Sequence, residues 1–586
     1  VKPAHLLAFA VLAGVFLWAI APLQQGMATH AEEAVGLTQM APLRPGAGEV
    51  EPARDDHPQL RASAHLPVWG VVWRDGTYTP LLVDGHQGAL VFAPSRWAHA
   101  LGGLTAARAV SALYGASVLV ALILMGYALS APLAGWLAAT VAAASPHLAF
   151  FHHWARPDEQ ATWVLPLWAV LAFAKWGQSR RPVWGLLGAL LVGLAVSAKL
   201  TAGWALLGMA AAVLVFRWLP WPGWRALGLA ALVAGLPLLP QVAFLLAGPD
   251  TGAFAQRIDN LPSPMDLLVP ARWAFFAQHF IEAFGGLGGY VQGIATGVQP
   301  ELGVRAWTVG GAVALGVVAA VVAGGQRQVA VAQRAFGVGL GTTLLLYVGL
   351  YYTGMSLYGL LVPWVPLAVG LAGARAWAFA SGLVDRRQGR VVASLLVVVA
   401  VAVVANGVWE IHRMHGAFDR PTAELFARAA QQRVADRLQQ DPAMPTWTVT
   451  YNAVAVYETL TQGRVRPQHA HRAFVDAVGM RPDDPAAYDA AWDRVLGLVR
   501  QQACSTGKTL QRLVVSPGAL HVDVSPLRHP DWLAQRLPTA LARADLATQS
   551  RHDERAFGGQ APLLSLWTVA VTCRASTSAI PSATRP

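Results

Sequence analysis

The sequence predicts an all-α polytopic membrane domain followed by a small α/β domain outside the bilayer. Three observations carry this reading. The 586 residues are 55% apolar and only 13% charged, with a mean hydropathy of +0.42; soluble domains are roughly 25% charged. Apolar runs of about bilayer length, ~20 residues each, recur from the N-terminus to about residue 410. Short Arg-rich segments separate alternate runs, as the positive-inside rule requires of a multi-pass protein. The net charge of +11 is accounted for by those segments rather than by a separate basic domain, so membrane lipids are expected as partners and nucleic acid is not.

The first apolar run covers residues 6–21, with Lys2 as its positive flank. A cut after "WAIA" would place Pro22 directly behind it, a poor cleavage context, so the run reads as an uncleaved first helix. A polar-to-mixed stretch, residues 22–103, comes next. Further runs lie near 105–130, 133–151, 160–176, 183–199, 203–218 and 226–247. A second long loop, 248–304, contains the amphipathic "PARWAFFAQHF". Runs near 306–324, 335–353, 357–378 and 391–409 bring the expected total to about eleven transmembrane helices. With the N-terminus cytoplasmic, the Arg-rich segments 175–182, 217–225, 324–334 and 385–390 all fall inside. The two long loops and everything after Trp409 then fall outside. The expected location is a bacterial-type inner membrane, with a periplasmic C-terminal domain.

The transmembrane domain is thus placed at 1–410 and the outer α/β domain at 411–575. In the latter, "AELFARAAQQRVADRLQQ" has helical periodicity and "PTWTVTYNAVAVYETL" reads as a strand running into another element. "LQRLVVSPGALHVDV" supplies two strand candidates around a Pro-Gly turn. Residues 576–586 read as a disordered tail. The two cysteines, Cys504 and Cys573, both fall in this domain, at no metal or redox spacing. An outer location permits a disulfide between them, and two unrelated buried thiols are the alternative.

Charged clusters gather on one membrane face in this topology. Glu32 and Glu33 follow the outward end of the first span. Arg156, Asp158 and Glu159 lie between the third and fourth, and Lys199 at the outward junction of the fifth and sixth. Cations stabilise phosphate, and a carboxylate can take a proton from an attacking hydroxyl or amine. Each cluster also has a plain reading. Adjacent loop acids are commonly solvated, Asp158 suits a helix start, and Lys199 suits a snorkelling lysine. The histidines, His30, His86, His152 and His153 among them, have no metal-ligand spacing.

Five stretches resemble, in order, those of the polyprenyl-phosphate-sugar-dependent glycosyltransferases of the GT-C fold. The similar branch contains the protein O-mannosyltransferases and the lipid A aminoarabinose transferases. "EEA" at Glu32–Ala34 stands where members carry Asp-Glu-Ala after the first span. "HQGALVFA" and "AARAVSALYG", with Arg108, follow in the place of a "KPPLYYW" motif and a segment ending "RLPSAL". "ASPHLAFFHHWARPDEQATW" resembles the "RPD" passage, "LLGALLVGLAVSAKLTAG" the "TKG" passage, and "YGLLVPWVPLAVGLAGA" the later "RYLLPLLPPLALL". The resemblance covers roughly residues 6–410.

What it implies is an inverting transfer of a sugar from a polyprenyl phosphate to a lipid, protein or polysaccharide acceptor on the outer face. Glu32 would be the base or metal-associated carboxylate and Glu33 its companion. His86, Arg156, Asp158, Lys199 and Tyr358 would meet the donor phosphate or sugar. A divalent ion on Glu32 is compatible with this chemistry but not required by it. Three positions depart from the pattern. Glu32 replaces Asp, Gln87 replaces the "KPP" lysine with His86 beside it, and Leu357 replaces the Arg of "RY". Two rival readings are a lipid or solute transporter and a catalytically inactive scaffold subunit of the same fold.

Overall fold

A computed structural model of the chain describes residues 3–29, 33, 37, 70–72, 78–80, 82–84, 87–88, 90–200, 202–247, 264–286, 303–324, 326–327, 329–350, 363–382, 386–419, 427–449, 453–465, 467–470, 474, 478, 483–515, 531–555 and 562–573. The chain forms two compact units. The first comprises residues 1–27, 36–293 and 298–419, and the second 28–35, 294–297 and 420–586.

The first unit is helical. It opens with α1 (Pro3–Gly26), followed by two small antiparallel strand pairs, β1 (Gly70–Val72) with β2 (Tyr78–Pro80) and β3 (Leu82–Asp84) with β4 (Gln87–Gly88). Next come α2 (Ala93–Ala128), α3 (Pro132–Ala143), α4 (Pro146–His152), α5 (Pro157–Ser179) and α6 (Pro182–Ala198). The chain continues through α7 (Ala202–Phe216), α8 (Trp224–Gly235), α9 (Leu239–Ala247) and α10 (Pro270–Gly285), the last being the amphipathic segment of the second long loop. α11 (Val304–Gly324), α12 (Val331–Leu350), α13 (Trp364–Gly382) and α14 (Arg386–Asp419) complete it. Proline opens α3, α4, α5 and α6, where its missing N–H is not needed and its fixed φ suits the first turn.

Every apolar run of the sequence contains a helix. Among the described residues, six helical stretches, one of them running from α8 into α9 (Trp224–Ala243), are long and apolar enough to cross a bilayer, and the bent pair α3–α4 makes a seventh. The difference from the expected eleven has physical causes. α6 and α7 have 17 and 15 residues, short of the ~20 of a full crossing. α2 begins at Ala93, inside the expected loop, and breaks at Gly102–Gly103, where Gly103 takes φ +65°. Glycine adopts that left-handed conformation without steric penalty.

Small residues let the helices approach closely, the usual device where lipid offers no hydrophobic drive to association. A Cβ at Gly370 would collide with the Ala134 carbonyl of α3, and one at Gly407 with that of Ala144. Buried charge secures helix ends. Arg108, fully buried in α2, donates to the Gln24 and Met27 carbonyls at 2.6 and 3.0 Å, while Gln24 Nε2 donates to the Arg108 carbonyl at 2.7 Å. The last carbonyls of a helix lack intrahelical partners, so Arg108 closes α1. Where α11 begins and α14 nears its end, buried Glu410 accepts from Arg305, which also donates to Asn406 at 2.8 Å.

The second unit is built on a five-stranded mixed sheet. Its elements are α15 (Arg428–Gln440), β5 (Thr446–Thr448), α16 (Ala453–Leu460), β6 (Gln468–His469), α17 (Pro485–Thr506), β7 (Leu510–Val515), α18 (Asp531–Arg543), β8 (Leu546–Arg555) and β9 (Pro562–Val571). The strand order is β6-β5-β7-β9-β8, with β5 parallel to β6 and β7, and β9 antiparallel to β7 and β8. Alternation along the strands serves two cores. Leu513, Val515, Trp567 and Val569 pack with α17 and α18 residues such as Trp492 and Leu537. Val514, Leu564 and Leu566 pack with Val434 and Leu438 of α15. Arg512 of β7, 4% exposed, donates to the carbonyls of Leu438 (3.0 Å), Met444 (3.1 Å) and Asp441, closing the end of α15. Cys504 and Cys573 are joined as a disulfide between α17 and the residues after β9.

The sequence anticipated α15, β5 and β7, and after β5 a further element of unstated type, which is the helix α16. The second strand candidate, near residues 519–524, and the tail at 576–586 lie outside the described residues. β8 and β9 had no expectation: β8, "LATQSRHDER", is a largely exposed edge strand without apolar alternation. α14 continues through the expected boundary at 411 to Asp419.

Two outcomes test this architecture. Replacing both cysteines by serine releases a 69-residue span and is expected to lower stability by about 4 kcal/mol, read as a shift in the denaturation midpoint. Arg512→Met strands buried carbonyls and is expected to cost about 2–4 kcal/mol, with hydrogen-exchange protection lost first at the end of α15.

Candidate active site

Four charges converge where α5 begins and α6 ends. Pro157 starts α5 directly after Arg156, so Arg156, Asp158 and Glu159 share one turn. The acids sit in the first turn, where the helix dipole favours negative charge. α5 and α6 are joined through Arg180 and Arg181, and Lys199 follows the last residue of α6 in extended conformation (φ −158°, ψ 125°). Glu159 Oε1 accepts from Lys199 Nζ and, at 3.2 Å, from Arg156 Nη2. Arg156 Nη2 also lies 3.6 Å from Asp158 Oδ2. Asp158 and Glu159 are buried, and the Arg156 and Lys199 side chains are 16% and 17% exposed.

A supporting shell fixes this cluster. Gln160 Nε2 donates to the carbonyls of Phe151 (3.2 Å) and Trp154 (2.7 Å), tying down the turn between α4 and α5. Thr162 Oγ1 donates to the Asp158 carbonyl at 2.7 Å. A Cβ at Gly88 would collide with the Ser197 side chain, so β4 lies hard against the end of α6. Val91 and Phe92 then pack on Ala161 of α5 and Ala198 of α6. Gly88, the last residue of the "HQG" stretch, is thereby placed against Ser197, two residues before Lys199. The side chain of Gln87 itself lies outside the described residues.

Burial alone would push the Lys199 ammonium down from its ordinary pKa. The adjacent carboxylates of Glu159 and Asp158 outweigh it and hold the group above the usual lysine value. The lysine therefore stays cationic through the neutral range. Two cations held by two buried carboxylates can bind a phosphate oxygen while remaining charged and fixed in direction.

The other expected residues divide differently. Glu33 is fully buried and belongs to the second unit, residues 28–35 clustering with 420–586. There the Thr29 N–H donates to Gln431 Oε1 at 2.8 Å. Glu32, His86 and Tyr358 lie outside the described residues. Among the described residues, no group of three or more His, Cys, Asp and Glu is placed to hold a metal ion. His152, buried in α4, lies with Nδ1 2.9 Å from the Leu148 carbonyl. Glu159, which joins Arg156 to Lys199, was not among the residues singled out for the site. Its signal was available: the i,i+3 spacing from Arg156 at a helix start.

No known family's sequence profile matches the chain, nor does the sequence of any curated protein. Solved structures do. A crystal structure of ArnT from Cupriavidus metallidurans bound to undecaprenyl phosphate superposes with a TM-score of 0.53 at 12% identity, covering 97% of this chain and 98% of that one. The apo state of the same protein gives 0.51 at 12% identity, covering 96% and 97%. The oligosaccharyltransferase AglB from Archaeoglobus fulgidus gives 0.49 at 10% identity, covering 92% of this chain and 72% of that one.

The Glu159 contact has a direct chemical test. In Glu159→Gln the force holding the Lys199 proton is reduced while burial remains, so the lysine deprotonates at lower pH than in the unaltered protein. Amine-selective labelling, quantified at Lys199 by mass spectrometry across alkaline pH, is expected to show half-modification displaced to lower pH. An unchanged labelling curve contradicts the assignment.

Proposed function

We propose that this chain, which has the fold of the GT-C membrane glycosyltransferases, moves a sugar from a polyprenyl phosphate to an acceptor on the outer membrane face. The observation that carries the reading is the buried four-charge cluster of Arg156, Asp158, Glu159 and Lys199. Isolated buried charge is strongly unfavourable, and this arrangement suits a site that receives an anion. The ordered motifs support it, as does the undecaprenyl phosphate bound by the ArnT structure of the same fold.

In this mechanism the donor phosphate meets Arg156 and Lys199, which exchange part of their bonding to Glu159 for bonds to phosphate oxygen. The acceptor nucleophile attacks the anomeric carbon from the opposite side as the bond from that carbon to the phosphate oxygen breaks. The bonding pair leaves with the phosphate, whose growing charge the fixed cations stabilise. The acceptor proton passes to the Glu32 carboxylate, and configuration at the anomeric carbon inverts. Glu33 positions that acid segment, and His86 and Tyr358 contact the donor headgroup.

Purified protein incubated with labelled polyprenyl-phosphate sugars separates this reading from its rivals: transfer supports it, whereas translocation without transfer, or neither, opposes it. Glu32→Gln is expected to lower turnover by about 10²-fold or more with insertion and folding intact; near-normal turnover removes its assigned role. Lys199→Met is expected to lower kcat/KM for the donor by about 10²-fold, with binding of a sugar-free acceptor unaffected.

A further inference from the structure

An apolar cavity of about 810 Å³ lies away from the charge cluster, within the size range of small-molecule sites. α7 starts at Ala202, just past Lys199, and its 15 residues carry the chain ~20 Å to Phe216. The cavity mouth, at Arg217 and the "WLPWP" segment after it, is thus at the far end of α7 from Lys199. The walls include Leu129, Phe173, Trp176, Met209, Leu214 and Phe336. Leu214 is 64% exposed, so this side of the cavity opens laterally on the surface that faces lipid.

One arginine lines the cavity there, and two more contact residues next to its wall. Arg217 is exposed and lines it. The Arg334 guanidinium lies 4.8 Å from the centre of the Phe216 ring, the residue before Arg217. Arg375 Nη2 donates to Gln333 Oε1 at 2.9 Å, and Gln333 Nε2 donates to the carbonyl of wall residue Leu129, also at 2.9 Å. Arg334 Nε and Arg375 Nη1 are buried donors with no hydrogen-bond partner among the described residues. No carboxylate among the described residues pairs with any of the three. Buried cationic donors without an acceptor are unfavourable. An apolar slot beside them calls for a ligand with an anionic head and a hydrocarbon tail. Trp176, Trp218 and Trp221 around the mouth are the residues that sit at headgroup depth.

We propose that an anionic glycerophospholipid of the leaflet at this arginine-rich face seats one acyl chain in the cavity, with its phosphate against Arg217, Arg334 and Arg375. The site is independent of the transfer site at the opposite end of the bundle.

The test uses full-length protein in a mild detergent, offered phosphatidylglycerol or phosphatidylcholine with the same acyl chains, with bound lipid counted by native mass spectrometry. One phosphatidylglycerol per chain should be retained at least about fivefold better than phosphatidylcholine, the factor a single surface cation carries. Arg217→Gln combined with Arg334→Gln should remove that preference. Ala210→Trp, which fills the cavity from α7, should reduce retention of phosphatidylglycerol. Melting temperatures establish that the variants are folded, and the headgroup comparison is made on the unaltered chain and stands without them. Equal retention of the two headgroups overturns the proposal. So does a preference that survives the double variant, or displacement of the bound lipid by equimolar polyprenyl phosphate, which would assign the cavity to a donor tail.

Discussion

The shared carboxylate of Glu159 is the contact on which the arrangement of this site depends. Lys199 and Arg156 come from the end of one helix and the start of another, and like charges at such a junction repel. One buried acid accepting from both turns repulsion into a fixed geometry. Asp158 adds the second negative charge, so the cluster of four balances. The same contact locates more than the charges. The start of α5 sets the turn held by Gln160, and the end of α6 sets the position of Ser197, against which Gly88 lies. Strand, turn and two helix ends are referenced to one side chain.

A related device recurs away from the site. Arg108 closes α1 and Arg512 closes α15, each spending its donors on carbonyls that a helix end leaves unsatisfied. Arg305 with Glu410 and Asn406 secures the meeting of α11 and α14. In each, a guanidinium finds its acceptors within the chain. Arg512 Nε is itself a buried donor without a partner among the described residues, as are Arg334 Nε and Arg375 Nη1 near the apolar cavity.

Much of the helical unit was legible because bilayer thickness imposes a length and composition that hydropathy detects directly. The runs and the Arg-rich links between them needed no tertiary information. What escaped was set by contacts distant in sequence. α2 begins at Ala93 because the chain bends at Gly102–Gly103, and a run-based reading starts only after the bend. β8 and β9 pair with each other and with β7, and pairing of that kind leaves little trace in an exposed edge strand. In the site, Arg156, Asp158, Glu159 and Lys199 were legible as charges expected on one face. The convergence on Glu159 depends on how α5 and α6 pack, which no local pattern states.

The membership of residues 28–35 in the second unit has a consequence for how the protein is made. Thr29 bonds to Gln431, 402 positions later, and Glu33 is buried in the finished chain. Synthesis proceeds from the N-terminus, so the segment bearing the two acids emerges among the first parts of the chain and finds its place among the last. Throughout the making of α2 to α14 of the first unit, it waits for partners that do not yet exist. A nascent or truncated chain can thus assemble its cation cluster, whose members span only residues 156–199, long before the acid segment is housed. The cation cluster and the acid segment mature on separate clocks, and the later one is set by completion of the second unit.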